Sequence, residues 1–226
     1  MARRFTAFSV LTLLLIAAWV WAGQSQSTHP VSGRRIATVM GHEGAAWLDR
    51  QEREQEEAPT KAVAALKVQP GQVVADIGAG SGYYSMLLAP AVGPTGKVYA
   101  TDIQPEMLAL IQKKLTANGV TNVQTVLGTA TDPKLADGSL DLAVMVDVYH
   151  ELQQPQVFLR ALKRTLKADG RLVLIEFRKE DPRVPIREEH KMTVRDARAE
   201  LEAEGYRFDE VLDVLPWQHI IVFRPR

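Results

Sequence analysis

The chain has 226 residues, 27 basic and 27 acidic side chains, a formal net charge of +0 and no cysteine. That length suits one domain plus an appendage, and the missing cysteines exclude disulfides, thiolate metal sites and thiol chemistry. The balanced charge gives no electrostatic case for binding nucleic acid.

Residues 5–22, FTAFSVLTLLLIAAWVWA, are uncharged and follow Arg3 and Arg4. A basic start, an apolar run and small residues near Ala22 predict a secretory signal peptide over residues 1–22. The run is also close to the minimum of about 17 residues for a spanning helix, so an uncleaved anchor is the alternative. Either way the arginines stay inside, and the folded part is expected to be exported, periplasmic or tethered to the inner membrane. Residues 23–35, rich in Ser, Gln, Gly and Pro, read as a flexible linker. Residues 36–69 read as an N-terminal helical cap. Within it Trp47–Glu57 is a charged, solvated helix and Thr60–Leu66 a second helix facing the domain.

From residue 70 to the end, strands and helices alternate. Pro70-Gly71 turns the chain into a first strand at Val73. A helix runs from Tyr83 to Gly93, a second strand ends at Asp102, and a helix from Pro105 carries Met107, Leu110, Ile111 and Leu115 on one stripe. Asn118-Gly119 stops that helix. The third strand is Val123–Gly128. The fourth, Leu140–Asp147, is almost wholly apolar and therefore central. A helix from Pro155 carries Phe158, Leu159, Leu162 and Leu166, and the fifth strand is Arg171–Phe177. Thr193 with Asp196 caps a helix ending near Gly205. The last two strands, near Phe208–Leu215 and His219–Phe223, are too closely joined for a crossover and must pair antiparallel. The expected fold is α/β: a mostly parallel seven-stranded sheet with an antiparallel C-terminal hairpin and helices on both faces.

The run VVADIGAGSG, Val73–Gly82, carries the chemistry. Gly78, Gly80 and Gly82 allow a sharp turn and close approach of a ligand to the backbone. A dinucleotide fingerprint places its third glycine three positions after the second. Here Gly78-Ala79-Gly80-Ser81-Gly82-Tyr83 places it two positions after, with tyrosine where the pattern wants glycine. Asp76 before the glycines would repel a pyrophosphate and attract an ammonium group. S-adenosylmethionine, with an ammonium, a carboxylate and no phosphate, suits this loop. Asp102, twenty residues beyond Gly82, stands where a Rossmann-like fold places its ribose-binding acid. A helix cap before Pro105 is its other role.

With WLDRQERE, VVADIGAGSGYYS, DIQPEML, VMVDVYHEL and LPWQHIIVF, the chain from about Thr60 onward resembles class I SAM-dependent methyltransferases with their Rossmann-like fold. It is similar to their quinone-biosynthesis and small-molecule branch, and to bacterial methyltransferase-domain proteins that often carry export signals. The resemblance implies S-adenosyl-L-methionine as cofactor and a small-molecule acceptor. It implies that Asp76 holds the methionine ammonium and that Gly78, Ala79, Gly80 and Gly82 line the methionyl part. Asp102 then binds the ribose, Ile103 lies against the adenine, and Tyr83 and Tyr84 either touch the cofactor or pack.

The family's Gly-Asp-Ala after the third strand reads Gly128-Thr129-Ala130 here. Thr129 or Asp132 takes the adenine contact, or the two cap the loop. Asp147 to Glu151 follows the central strand at its ligand-binding end. Asp147 is assigned to the cofactor, and His150 is the general-base candidate or a loop cap, with Glu151 and Asp147 weaker ones. His190, in the long charged segment Arg178–Lys191, is a second base candidate, and that segment forms a lid or substrate wall. His42 and Trp47 could fold over the cofactor, while Trp217 and His219 pack or lie at the surface. No metal ligand is assigned. A non-catalytic SAM- or nucleoside-binding sensor on the same fold is the second reading, and a dehydrogenase the third.

Overall fold

The computed structural model describes residues 27–226, so the predicted signal or anchor lies outside the described residues. Strands β1 (Val73–Ile77), β2 (Lys97–Asp102), β3 (Val123–Leu127), β4 (Leu140–Val146) and β5 (Leu166–Arg178) run parallel. With β6 (Lys191–Met192) beside β5, and β7 (Tyr206–Leu212) and β8 (Gln218–Pro225) at the far edge, the sheet order is β3-β2-β1-β4-β5-β8-β7. The hairpin strand β8 is antiparallel to both β5 and β7. The apolar β4 lies at the centre of that order, as its sequence requires.

Strand alternation sorts the core into two layers. Ala75, Ile77, Ala143, Met145, Leu172 and Leu174 pack with Phe158, Leu159 and Leu162 of α6 (Pro155–Thr165) and with Leu201 of α7 (Val194–Ala203). Val74, Leu142, Val144, Val173 and Ile175 face the other way. They meet Val63 of α3 (Pro59–Ala65) and Tyr84 and Leu88 of α4 (Tyr83–Val92). On α5 (Pro105–Asn118), Ile111 and Leu115 pack with Ala100. The Thr193 hydroxyl accepts the Asp196 N–H at 2.9 Å and caps α7, a contact of about 1 kcal/mol.

Four expectations are corrected. The segment Trp47–Glu57 is two short turns, α1 (Ala45–Leu48) and α2 (Arg53–Glu56), because Arg53 and Glu57 are buried rather than solvated. Leu166 opens β5 rather than closing α6, pairing with Leu140. Leu110 is 41% exposed, outside the buried stripe. Of the expected linker, residues 27–35 form a turn closed by a Thr28–Arg35 bridge, with His29 and Arg34 buried. That turn is held by an ion pair: Arg34 Nε donates to Glu200 of α7 at 2.9 Å, and Ser32 also donates to Glu200. No described helix is long and apolar enough to cross a membrane.

Candidate active site

The order of the sheet reverses between β1 and β4, and a cavity of about 570 Å³ opens at the carboxyl ends of these strands. That is where open α/β sheets bind ligands, and the volume suits a small molecule. Gly78, Gly80, Asp102, Ile103, Thr129 and Asp147 line it, as do His150, Glu151 and His190.

Asp102 is fixed by the loops on either side of it. Gly80 N–H donates to one carboxylate oxygen at 2.9 Å and Gln104 N–H to the other at 2.9 Å. Burial pushes its pKa up and these N–H bonds oppose that. Gly80 has φ +54°, a conformation that favours glycine, and a Cβ there would stand 2.6 Å from Leu48 Cδ1. Ile103 beside it is 45% exposed toward the cavity. Thr129 N–H is held by the Asp132 carbonyl at 2.9 Å, while the Asp132 carboxylate engages Lys134 instead of the cavity.

Asp76, Ala79, Gly82 and Tyr83 do not line the cavity. Strand alternation turns Asp76 toward α4, where it accepts the Ser85 hydroxyl at 2.6 Å. Burial raises its pKa to about 6 against the opposing effects of Ser85 and Arg53. Ala79 packs against the cluster of Ala100 and Ile111, and a Cβ on Gly82 would meet Ile111. Tyr83 lies beneath the Arg53 guanidinium, 4.7 Å from ring centre to carbon.

Two other charged groups, Asp147 and Arg53, line the cavity where Asp76 does not. Asp147 follows β4 with φ +53°, strained for a residue with a side chain. One of its oxygens accepts from Gln218 at 2.7 Å; the other is buried with no partner among the described residues. Burial, then Glu57 and Glu176, push its pKa well up. Arg53 also lines the cavity; its Nε donates to Glu57 and its Nη1 to the Leu48 carbonyl, both at 2.8 Å, and neither bond uses Nη2. A carboxylate oxygen without a partner among the described residues and a guanidinium whose Nη2 neither bond uses fit the ammonium and carboxylate of an amino-acid end.

Opposite these groups is a histidine cluster. His150 Nδ1 lies 2.6 Å from the buried Glu176 of β5, whose other oxygen accepts Tyr149 N–H at 2.9 Å. His150 Nε2 is 3.0 Å from His190 Nδ1, and Glu151 stands beside both rings. Burial lifts Glu151 to about 7, opposed by His150; burial, then His150, lower His190. The residues after β5 form part of the wall through Pro185, Ile186 and Arg187. The N-terminal segment crosses the site on both sides of α1. Ala37 N–H donates to the His150 carbonyl at 3.0 Å, Gln104 Nε2 to the Met40 carbonyl at 2.8 Å, and Asp49 accepts from Ser81 at 2.9 Å. Trp47 lines the cavity; His42 does not, though its N–H bonds Gln104. His219, expected to pack or lie at the surface, is buried in β8.

Comparison with known proteins agrees with this geometry. Residues 75–174 match the methyltransferase domain family. The chain is 35% identical over 113 residues to a ubiquinone/menaquinone biosynthesis C-methyltransferase of Ectopseudomonas mendocina, covering 50% of this chain and 44% of that one. It is 31% identical over 111 residues to a demethylmenaquinone methyltransferase of Geobacillus stearothermophilus, covering 49% and 47%. The chain thus spans about half the length of these relatives. A crystal structure of a SAM-dependent methyltransferase from Aquifex aeolicus superposes with a TM-score of 0.77 at 29% identity, covering 82% of this chain and 98% of that one.

Proposed function

We propose that the chain is a class I S-adenosylmethionine-dependent methyltransferase, with S-adenosylmethionine as cofactor, that methylates a small apolar molecule. The observation that carries this reading is one cavity joining an acid at the end of β2, an acid after β4 with one oxygen unpartnered among the described residues, and a histidine cluster.

When bound, S-adenosylmethionine supplies an electrophilic methyl group on a sulfonium. Asp102 would accept the ribose hydroxyls, with Ile103 and Thr129 on the adenine side. Asp147 would hold the ammonium and Arg53 the carboxylate. Asp76, Ala79, Gly82 and Tyr83 support this cradle from behind. The chain's task is to hold donor and acceptor collinear at short range, which lowers the barrier without further chemistry. Where the acceptor atom carries a proton, His150 or His190 is placed to receive it. Phe177, Pro185, Ile186 and Trp47 give the remaining wall an apolar character that suits a ring or an alkyl group. The quinone substrates in the relatives' names support such an acceptor. Those names also favour transfer over the sensor reading.

The uncharged run 5–22 after Arg3 and Arg4 supports export or tethering. A C-terminal reporter active only in the cytoplasm would contradict that placement. For the reaction, metabolites from cells carrying the wild type or Asp102→Ala are compared by mass spectrometry. A compound that gains one methyl group with the wild type alone is the expected result; identical profiles would contradict the reading.

A further inference from the structure

We propose that His150, Glu151 and His190 bind one divalent transition-metal ion, of the zinc, cobalt or iron(II) class, on the acceptor side of the cavity. His150 Nε2 lies 3.0 Å from His190 Nδ1; one Glu151 carboxylate oxygen lies 3.8 Å from the former and 3.9 Å from the latter. A triangle with those sides has its centre about 2.1 Å from every corner, the bond length of such ions to imidazole nitrogen and carboxylate oxygen. The three atoms therefore surround a point where an ion fits with little movement of the side chains.

The second observation is the support behind His150. Its Nδ1 meets the fully buried Glu176 at 2.6 Å, and Glu176 is itself held by Tyr149 N–H. A histidine that donates one N–H to a buried carboxylate presents its other nitrogen as a lone pair in a fixed direction. This is how metal-ligating histidines are oriented, and it raises their basicity. The His150 carbonyl is held as well, by Ala37 N–H at 3.0 Å and Arg34 Nη1 at 3.1 Å. His190 needs only to carry its proton on Nε2 for Nδ1 to become the second ligand.

Two imidazoles and one carboxylate favour zinc, cobalt or iron(II) over magnesium or calcium, which prefer oxygen ligands. Three protein ligands leave coordination positions open toward the cavity, as a catalytic site requires. An acceptor hydroxyl at an open position would release its proton to solvent more readily and keep the electron pair on oxygen. With the ion bound, the two imidazoles are ligands rather than bases. The site stands on these four side chains, not on the identity of the methyl donor.

The test uses the untagged full chain, stripped with EDTA and titrated with Co²⁺ by calorimetry and visible absorption, then competed with Zn²⁺. One cobalt per chain, with a low-symmetry nitrogen-ligand spectrum that Zn²⁺ removes, is expected. His190→Gln and Glu151→Gln should each weaken cobalt binding at least about tenfold, and Glu176→Gln by about tenfold through loss of orientation. Circular dichroism on each variant should show a retained cooperative unfolding transition. A wild type that takes up no stoichiometric cobalt, or His190→Gln and Glu151→Gln proteins that bind it as the wild type does, would overturn the proposal. S-adenosylhomocysteine binding by the wild type is read separately: cobalt uptake without it would leave the ion site standing and sink the donor reading.

Discussion

Asp76, the acid that the sequence offered for the cofactor's ammonium, does not line the cavity, whereas Arg53 and Asp147 do. An acid one residue before the end of a strand points to one face of the sheet, and here that face is covered by α4 and Ser85. An acid just beyond β4, on a left-handed residue, reaches the cavity instead. On the proposed reading Arg53 holds the carboxylate of the cofactor's amino-acid end, and replacing it should distinguish ligands with and without that end. Arg53→Ala is expected to weaken S-adenosylhomocysteine ten- to a hundredfold, the effect of losing a charge-assisted hydrogen bond. Methylthioadenosine, which lacks the amino-acid end, should bind the variant as it binds the wild type; calorimetry with both ligands reads the difference, and equal losses would contradict the assignment. The place of Asp102 at the end of β2 and in the cavity wall was legible because its signal is local: an acid ending a strand at a fixed distance from a glycine loop. Arg53 and Glu176 were not, because one sits in a charge-rich segment that reads as solvated and the other inside an apolar strand. Only the packing of distant segments shows what they face.

The elements that carry the β/α alternation were legible almost to their ends, since Pro105, Asn118-Gly119, Pro155 and the Thr193 cap mark boundaries by local backbone chemistry. The N-terminal segment was not, because its order comes from tertiary partners. Arg34 leaves the turn at residues 27–35 to meet Glu200 of α7, and its Nη1 also reaches the His150 carbonyl. His29 approaches the same carboxylate at 3.3 Å, and the Arg34 guanidinium lies 5.2 Å from the Tyr149 ring centre. These contacts tie the N-terminal segment to the turn bearing His150. Removing the arginine leaves Glu200 buried without its main partner, which typically costs about 3–5 kcal/mol. Arg34→Ala should lower the urea midpoint accordingly, and Arg34→Ala with Glu200→Ala should recover part of the loss. A single variant as stable as the wild type would show that the turn is not held by this pair.

At the scale of the whole molecule, the cavity's loops gather at one end of the sheet because the connections after β1 and β4 run to opposite sides of the switch point. The same burial that shapes the cavity makes stability depend on pH. Asp76 has a folded pKa of about 6 against an ordinary value of 3.8, raised by burial. Between those values the folded state binds the extra proton. Its contribution is therefore fully present below about pH 4 and is lost as pH rises through about 6. A shift of about two units corresponds to roughly 3 kcal/mol. Urea denaturation of the cofactor-free chain at pH 4.5 and 7.5 should show Asp76→Asn losing less stability with rising pH than the wild type. Parallel losses in the two proteins would contradict the burial of this carboxyl.

Whether this cavity is a methyl-donor site is tested most directly by calorimetric titration of the full chain with S-adenosylhomocysteine, with NADH as the comparison ligand. One S-adenosylhomocysteine per chain, no saturable heat with NADH, and loss of the former in Asp102→Ala are predicted. Saturable binding of NADH, or no binding of S-adenosylhomocysteine to a folded wild type, would contradict the account.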